Sequence, residues 1–302
     1  MAINKVKLND NFEVSNIIQG HWRLADWKLT NNELLDLTQQ TIDLGITTFD
    51  HADIYGDYTC EQLFGNALKL KKGLRNKIQI ITKCGIKLLS KKYPERKLKS
   101  YDYSFKHIVE SAENSLKNFN TDYIDLLLLH RPSPYFNPAE VAEAFSYLKK
   151  QGKVLHFGVS NFNKTQFEML NKFVEEPLVT NQVEISPYNL EHFINGNIDY
   201  LLTNNIKPLA WSPLAGGNLL QPNTTKGNRI FSALQEVANE LSVKSLDIVI
   251  YSWLLSHPSN IIPIVGTHKI NRLQNAVNAL DLKMNAEQWL KIYVASLGNE
   301  LP

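Results

Sequence analysis

Cysteine is nearly absent: Cys60 and Cys84 are the only two in 302 residues. Two thiols exclude a disulfide-stapled scaffold and a four-cysteine zinc site. An excess of one charge is missing too. The 32 Lys and Arg meet 30 Asp and Glu, a net charge of +2, which argues against a surface built to neutralise nucleic-acid phosphates. No apolar run nears the roughly 20 residues that span a bilayer. Met1–Asp10 alternates and carries charge, unlike a secretory leader. Gly-x-Gly does not occur among the 14 glycines, nor does Gly-Lys followed by Ser or Thr. A bound nucleotide would therefore be held by neither a dinucleotide fingerprint nor a P-loop. No linker, low-complexity tract or charge block divides the chain, so a single domain over residues 1–302 is expected. The composition, 43% hydrophobic and 21% charged, is that of an ordinary globular protein. It leads to the expectation of a reduced, cytoplasmic protein with no nucleic-acid partner and no membrane insertion.

What is present is a repeat of short apolar runs and amphipathic stretches. Val6 and Leu8 alternate, Asn9-Asp10-Asn11 reads as a turn, and Phe12 and Val14 alternate again, which predicts an N-terminal β-hairpin. Eight apolar runs follow: Ile17-Ile18, Thr47–Phe49, Ile78–Thr82, Ile124–Leu129, Val154–Val159, Val179–Ile185, Ile206–Trp211 and Ile261–Val265. Helical periodicity lies between them at Asn31–Leu44, Tyr103–Phe119, Pro138–Lys150, Lys164–Phe173, Ile230–Leu241 and Lys244–Ser256, with a C-terminal helix near Ala286–Leu297. Eight strand–helix steps with right-handed crossovers close a (β/α)8 TIM barrel. An open doubly wound sheet is the rival, and the missing Gly-rich turn counts against it.

Chemistry in a barrel sits where strands end. Asp50 ends the second run, with Tyr55 on the loop beyond it. Lys83 ends the third run and His130 the fourth. A buried ammonium needs a carboxylate, and Asp50 is the natural partner of Lys83. Alone, that pair reads equally well as a structural ion pair, Tyr55 as a half-buried aromatic and His130 as a hydrogen-bonded core residue. Their convergence on one rim favours a site. A tyrosine titrates near 10, and a neighbouring ammonium is expected to lower that value. His130 would donate a hydrogen bond to the reacting oxygen. Such a set suits protonation of a carbonyl oxygen while something else delivers hydride.

These residues resemble the aldo-keto reductase superfamily along nearly the whole chain. The resemblance is carried in order by Asp50-x-Ala52-x-x-Tyr55-Gly56, by Thr82-Lys83, by Leu126–Leu129 followed by His130, by Gly158–Phe162, by Asn181–Glu184 and by Trp211–Gly217. It implies a barrel with a nicotinamide cofactor extended across its mouth. It implies Tyr55 as general acid, supported by Lys83, Asp50 and His130. Ser160, Asn161 and Gln182 would bind the carboxamide, and Trp211 would stack on the ring. Ser212, Leu214 and Gly217 would line the pyrophosphate path. Gly20 would touch the cofactor, and Trp22 would line the substrate or serve as a rim aromatic. Gly266, Thr267 and Arg272 resemble the adenosine-phosphate site, with Arg272 gripping a 2′-phosphate. Many NADPH-dependent relatives have lysine at Gly266, and some have asparagine at Ala276, so Lys269 would have to reach back. NADPH (NADP+) is favoured by the resemblance, and NADH stays open.

The loop after Lys83 is basic, with Lys87, Lys91, Lys92, Arg96, Lys97 and Lys99 against Glu95. It reads as a flap drawing anionic ligands or, preferably, as a solvated lysine-rich loop. Tyr93, Tyr101 and Tyr103 would add apolar lining, and Cys84 reads as a small buried residue. The leading expectation is NADPH-dependent reduction of an aldehyde or ketone, a small-molecule carbonyl substrate. Two alternatives stand beside it. One is a regulatory NADPH-binding subunit, since the Trp-Ser-Pro-Leu-Ala segment also resembles potassium-channel beta subunits. The other is a Schiff-base lyase using Lys83. The oligomeric state is open.

Overall fold

The computed structural model describes residues 5–301; the first four residues of the Met1–Asp10 stretch, and Pro302, lie outside it. Strands β1 (Lys5–Asn9) and β2 (Phe12–Ser15) form the expected antiparallel hairpin, with Val6 opposite Val14. The chain then runs β3 (Ile18–Gly20), α1 (Asn31–Asp43), β4 (Thr48–Asp50), α2 (Tyr55–Tyr58), α3 (Cys60–Leu68), β5 (Gln79–Cys84), β6 (Ile86–Lys87), β7 (Ser100–Tyr101) and α4 (Phe105–Phe119). Next come β8 (Ile124–Leu129), α5 (Pro138–Lys150), β9 (Val154–Ser160), α6 (Lys164–Asn171), β10 (Asn181–Glu184), α7 (Glu191–Ile194), α8 (Asn197–Thr203) and β11 (Leu209–Trp211). The last elements are α9 (Thr225–Glu240), α10 (Leu246–Leu255), β12 (Ile262–Val265), α11 (Ile270–Asn278) and α12 (Ala286–Leu297).

Strands β3, β4, β5, β8, β9, β10, β11 and β12 follow one another around a closed barrel. This is the (β/α)8 TIM barrel that the periodicity predicts. Several of the outer helices are started by side chains at their N-termini. Thr30 and Glu33 make a capping box on α1, and Asn163 with Gln166 does the same on α6. All six residues of β8 are buried, as a strand covered on both faces requires. No helix among the described residues is long and apolar enough to cross a membrane.

Two compact units divide the chain. One comprises the described residues up to Asn181 with Gly266–His268, and the other Gln182–Val265 with the described residues from Lys269 on. The first centres on Phe49, Phe64, Phe119 and Phe157, all fully buried. In the second, Trp253 and Trp289 stack at 4.8 Å. Each indole N–H donates to the other's backbone carbonyl, at 3.1 and 2.9 Å.

Several elements differ from the sequence reading, among them the short helices α2, α7 and α8, which lie outside the expected helical stretches. The helix expected from Ile230 begins at Thr225, where Thr224 accepts from the Gly227 amide; its first turn, Thr225 to Asn228, has no apolar side chain, which hides the period. Helix α3 was not anticipated, because Gly65 interrupts its pattern. A Cβ there would lie 2.0 Å from the Asn118 carbonyl oxygen, so glycine is what lets α3 approach α4. The long basic loop contains its own antiparallel pair, β6 with β7.

Candidate active site

Parallel register brings the ends of β4, β5 and β8 to one rim: Asp50 lies opposite Ile81, and Lys83 opposite Leu128. Lys83 is 1% exposed. Its Nζ donates to Asp50 Oδ1 and Oδ2 at 2.8 and 2.9 Å, to the His51 carbonyl at 2.6 Å and to the Tyr55 hydroxyl at 3.2 Å. Burial disfavours this ammonium, but Asp50 and Tyr55 outweigh burial and hold its pKa above the ordinary lysine value. The charge is therefore fixed in place.

Tyr55 departs from expectation. Burial pushes its phenol above the usual tyrosine value, and Lys83 only partly opposes that. The group is a phenol at neutral pH, a proton donor rather than a ready base. His130, directly after β8, is buried and held well below the usual imidazole range, first by burial and then by Lys83, Arg131 and Lys99. It is a neutral ring, able to donate one N–H and accept at the other nitrogen. It meets Tyr55 edge-on with centroids 5.9 Å apart, and its buried Nδ1 has no hydrogen-bond partner among the described residues. Asn161, left-handed at φ 61°, donates from Nδ2 to the His130 carbonyl at 3.1 Å and to Ser160 Oγ at 2.8 Å. In the same unit the Gly20 carbonyl lies 3.9 Å from where a Cβ on Gly266 would be. The Thr267 carbonyl accepts from Gln19 Nε2 at 3.0 Å. Trp22 is 62% exposed, with the Arg23 guanidinium over its ring.

In the second unit Gln182 is buried in β10, and Trp211, half-buried, ends β11. The backbone then turns left-handed at Ser212, Ala215, Gly216 and Gly217. A Cβ on Gly216 or Gly217 would meet nothing within 4 Å, so these glycines serve conformation and not space. The turn is closed on itself, the Ala215 and Gly217 amides donating to the Ser212 and Leu214 carbonyls at 2.8 and 2.9 Å. Leu214 lies within it. Arg272 is exposed in the first turn of α11, whose start has no side-chain cap. Ala276 is fully buried, and neighbouring Asn275 holds both oxygens of Asp247 at 3.0–3.1 Å.

Residues 16–295 match the Aldo/keto reductase family. The chain belongs to that family. It is 49% identical over 300 residues to the uncharacterized oxidoreductase YcsN of Bacillus subtilis (strain 168), covering 99% of this chain and all of that one. It is 38% identical to a 6-dehydroglucose reductase of Agrobacterium fabrum, with 99% and 100% covered. The crystal structure of a thermostable aldo-keto reductase, Tm1743, in complex with the inhibitor epalrestat superposes with a TM-score of 0.82 at 24% identity, covering 97% of this chain and all of that one. As an aldo-keto reductase the chain is an oxidoreductase, and reduction of carbonyl groups is its general chemistry.

The reductase also holds polar residues that the sequence reading passed over. His21 and His51, both fully buried, share a hydrogen bond at 2.8 Å behind Asp50. Burial lowers His21 to about 3 and, with His21 and Lys83, holds His51 well below its usual value. Glu61 accepts from Thr82, Ser115 and Asn118 at 2.6, 2.8 and 3.1 Å. Only the order of an aromatic-lined core could have pointed to them. The basic loop is not uniformly solvated. Lys91, Lys97 and Lys99 are exposed, whereas Lys87 pairs with Asp102 at 3.2 Å and Arg96 is folded inward. Cys84 is buried, and burial raises its thiol well above the usual range, consistent with an inert residue.

Proposed function

We propose that the protein reduces an aldehyde or ketone to an alcohol, with Tyr55 as the proton donor and NADPH as the reductant. The observation that carries this reading is the placing of the Tyr55 hydroxyl, 3.2 Å from a buried ammonium that is itself clamped by Asp50. When the Tyr55 proton leaves, Lys83 stands beside the new phenolate and stabilises it. Asp50 keeps Lys83 charged and aimed. Neutral His130 offers a hydrogen bond to the carbonyl oxygen without competing to protonate it.

The bound nicotinamide would supply the hydride. Within the first unit the hydroxyl and amide side chains of Ser160 and Asn161 suit a carboxamide, and within the second Gln182 carries an amide and Trp211 a flat face of the kinds that a nicotinamide would need. The left-handed turn Ser212–Gly217, with Leu214 in it, would line the pyrophosphate path. Gly20, Gly266 and Thr267 would adjoin the cofactor. Arg272, on an uncapped helix start, supports NADPH over NADH. Trp22 would line the substrate. A Schiff base on Lys83 is disfavoured, because an amine held protonated by two oxygens of Asp50 is a poor nucleophile.

The test is Tyr55→Phe with saturating NADPH on a panel headed by sugar aldehydes, the direction set by the 6-dehydroglucose reductase relative. Turnover should fall by about 10²–10⁴, with NADPH affinity kept. Turnover within a few-fold of wild type would remove Tyr55 as the proton donor, and absence of turnover in the wild type itself would leave the regulatory nucleotide-binding reading in its place.

A further inference from the structure

The turn that follows Tyr55 is held from outside. Gly56, Asp57 and Tyr58 are all left-handed, at φ 58°, 53° and 63°. Glycine adopts this freely, but Asp57 and Tyr58 do so only under constraint. A Cβ on Gly56 would lie 2.7 Å from Cys60 Sγ and 2.9 Å from Ala25 Cβ, so the turn is also tightly enclosed. On its inner side the Thr59 hydroxyl donates to the Gly56 carbonyl at 2.6 Å.

On the other side the basic loop grips Tyr58. The Tyr58 hydroxyl accepts from the Leu88 amide at 3.0 Å and from Arg96 Nη1 at 2.7 Å. The Tyr58 carbonyl accepts from Lys92 Nζ at 3.3 Å. The Arg96 guanidinium lies 3.6 Å above the Tyr93 ring, and Tyr93 meets Tyr58 edge-on at 5.0 Å. Arg96 Nη1 also donates to the Leu88 carbonyl at 3.3 Å. Its side chain is 13% exposed, unlike Lys91, Lys97 and Lys99 around it. The loop is anchored in turn by the β6–β7 pairing and by Lys87 on Asp102.

We propose that Arg96 is a positioning residue for the proton donor: through Tyr58 it fixes the left-handed turn that presents the Tyr55 hydroxyl to Lys83 and to the reacting oxygen. This rests on the reading of Tyr55 as the donor. Misplacement of a reacting group by a fraction of an ångström costs rate while leaving binding intact.

The experiment uses the full chain, one reactive aldehyde and saturating NADPH. Arg96→Ala should lower kcat about tenfold and leave KM for NADPH within twofold. Arg96→Lys, which keeps a donor for Tyr58, should recover part of the loss. Tyr58→Phe removes the shared acceptor and should cost as much as Arg96→Ala, and the double variant should be no slower than either single one. Lys97→Ala, exposed on the same loop, should match wild type. Thermal midpoints separate loss of fold from loss of rate, and Tyr58→Phe alone carries the test where Arg96→Ala fails to fold. The proposal falls if kcat in the singles stays within twofold of wild type. It falls equally if their losses multiply in the double variant, or if Lys97→Ala loses as much. An inactive Tyr55→Phe beside a fully active Arg96→Ala would sink only the positioning role, whereas an active Tyr55→Phe would remove both.

Discussion

Lys83 and Arg272 are the two cations on which the proposed chemistry leans, and they are held in opposite ways. Lys83 is buried at the end of β5 among four oxygen acceptors. Arg272 stands exposed on the first turn of α11, with no ion pair within 4 Å among the described residues. The first cation was desolvated when the chain folded, so its geometry is complete before any substrate arrives. The second is solvated and screened until an anion comes to it. A charge that must act on a transition state needs the first arrangement, and one that selects among ligands needs only the second.

Removing each cation should therefore have unequal effects. Lys83→Met leaves Asp50 charged and buried without its partner, which should cost about 3–5 kcal/mol of stability, read from urea unfolding, and should also cut turnover by lifting the phenol further. Arg272→Met should change stability by less than about 0.5 kcal/mol. Equal losses would mean that the Asp50–Lys83 pair is as well solvated as the helix terminus.

Buried imidazoles sharpen the contrast from the acid side. Burial holds folded His21 down at about 3, against about 6.5 when unfolded. Between those values the unfolded chain binds the proton that the folded chain refuses. The stabilisation is thus complete above 6.5 and is lost as pH falls toward 3. At pH 5 His21 alone should account for about 2 kcal/mol of lost stability relative to neutral pH, with His51 and His130 acting in the same direction. Urea midpoints at pH 7 and pH 5 measure this, and an unchanged midpoint would place a charged ring inside the core.

The smallest effect belongs to Arg272. Arg272→Ala should weaken NADPH by about 1 kcal/mol, given its exposure, and leave NADH unchanged. The gap between the two cofactors should narrow as salt rises, while the Tyr55→Phe deficit should not. Competition binding at two ionic strengths decides it, and a salt-independent gap would take selection away from this exposed arginine.

Legibility followed the same divide. The rim residues Asp50, Lys83 and His130 were readable because each stands where an apolar run stops, and a run's end marks the mouth of a barrel. Burial of Lys83 followed from the same logic. The direction of the Tyr55 shift did not, because it depends on how much water the folded loop excludes, which no residue spacing states. Arg96 was indistinguishable from its lysine neighbours, since its inward turn depends on Tyr93 and on the backbone at Tyr58. Gly65 concealed α3 because its purpose, a close approach to α4, belongs to tertiary structure.

The six buried residues of β8 carry a final consequence, one of timing. Ile124–Leu129 is safe in the finished molecule because a closed ring of strands offers no edge. On a growing chain it is made before β9, its partner on one side, and long before β12, with which the ring is complete. Through that interval Leu126–Leu129 is a short, apolar, strand-forming segment of the kind that pairs with copies of itself. Freedom from aggregation is therefore acquired late in synthesis, when the last strand arrives, and until then it depends on the order and speed with which the chain emerges.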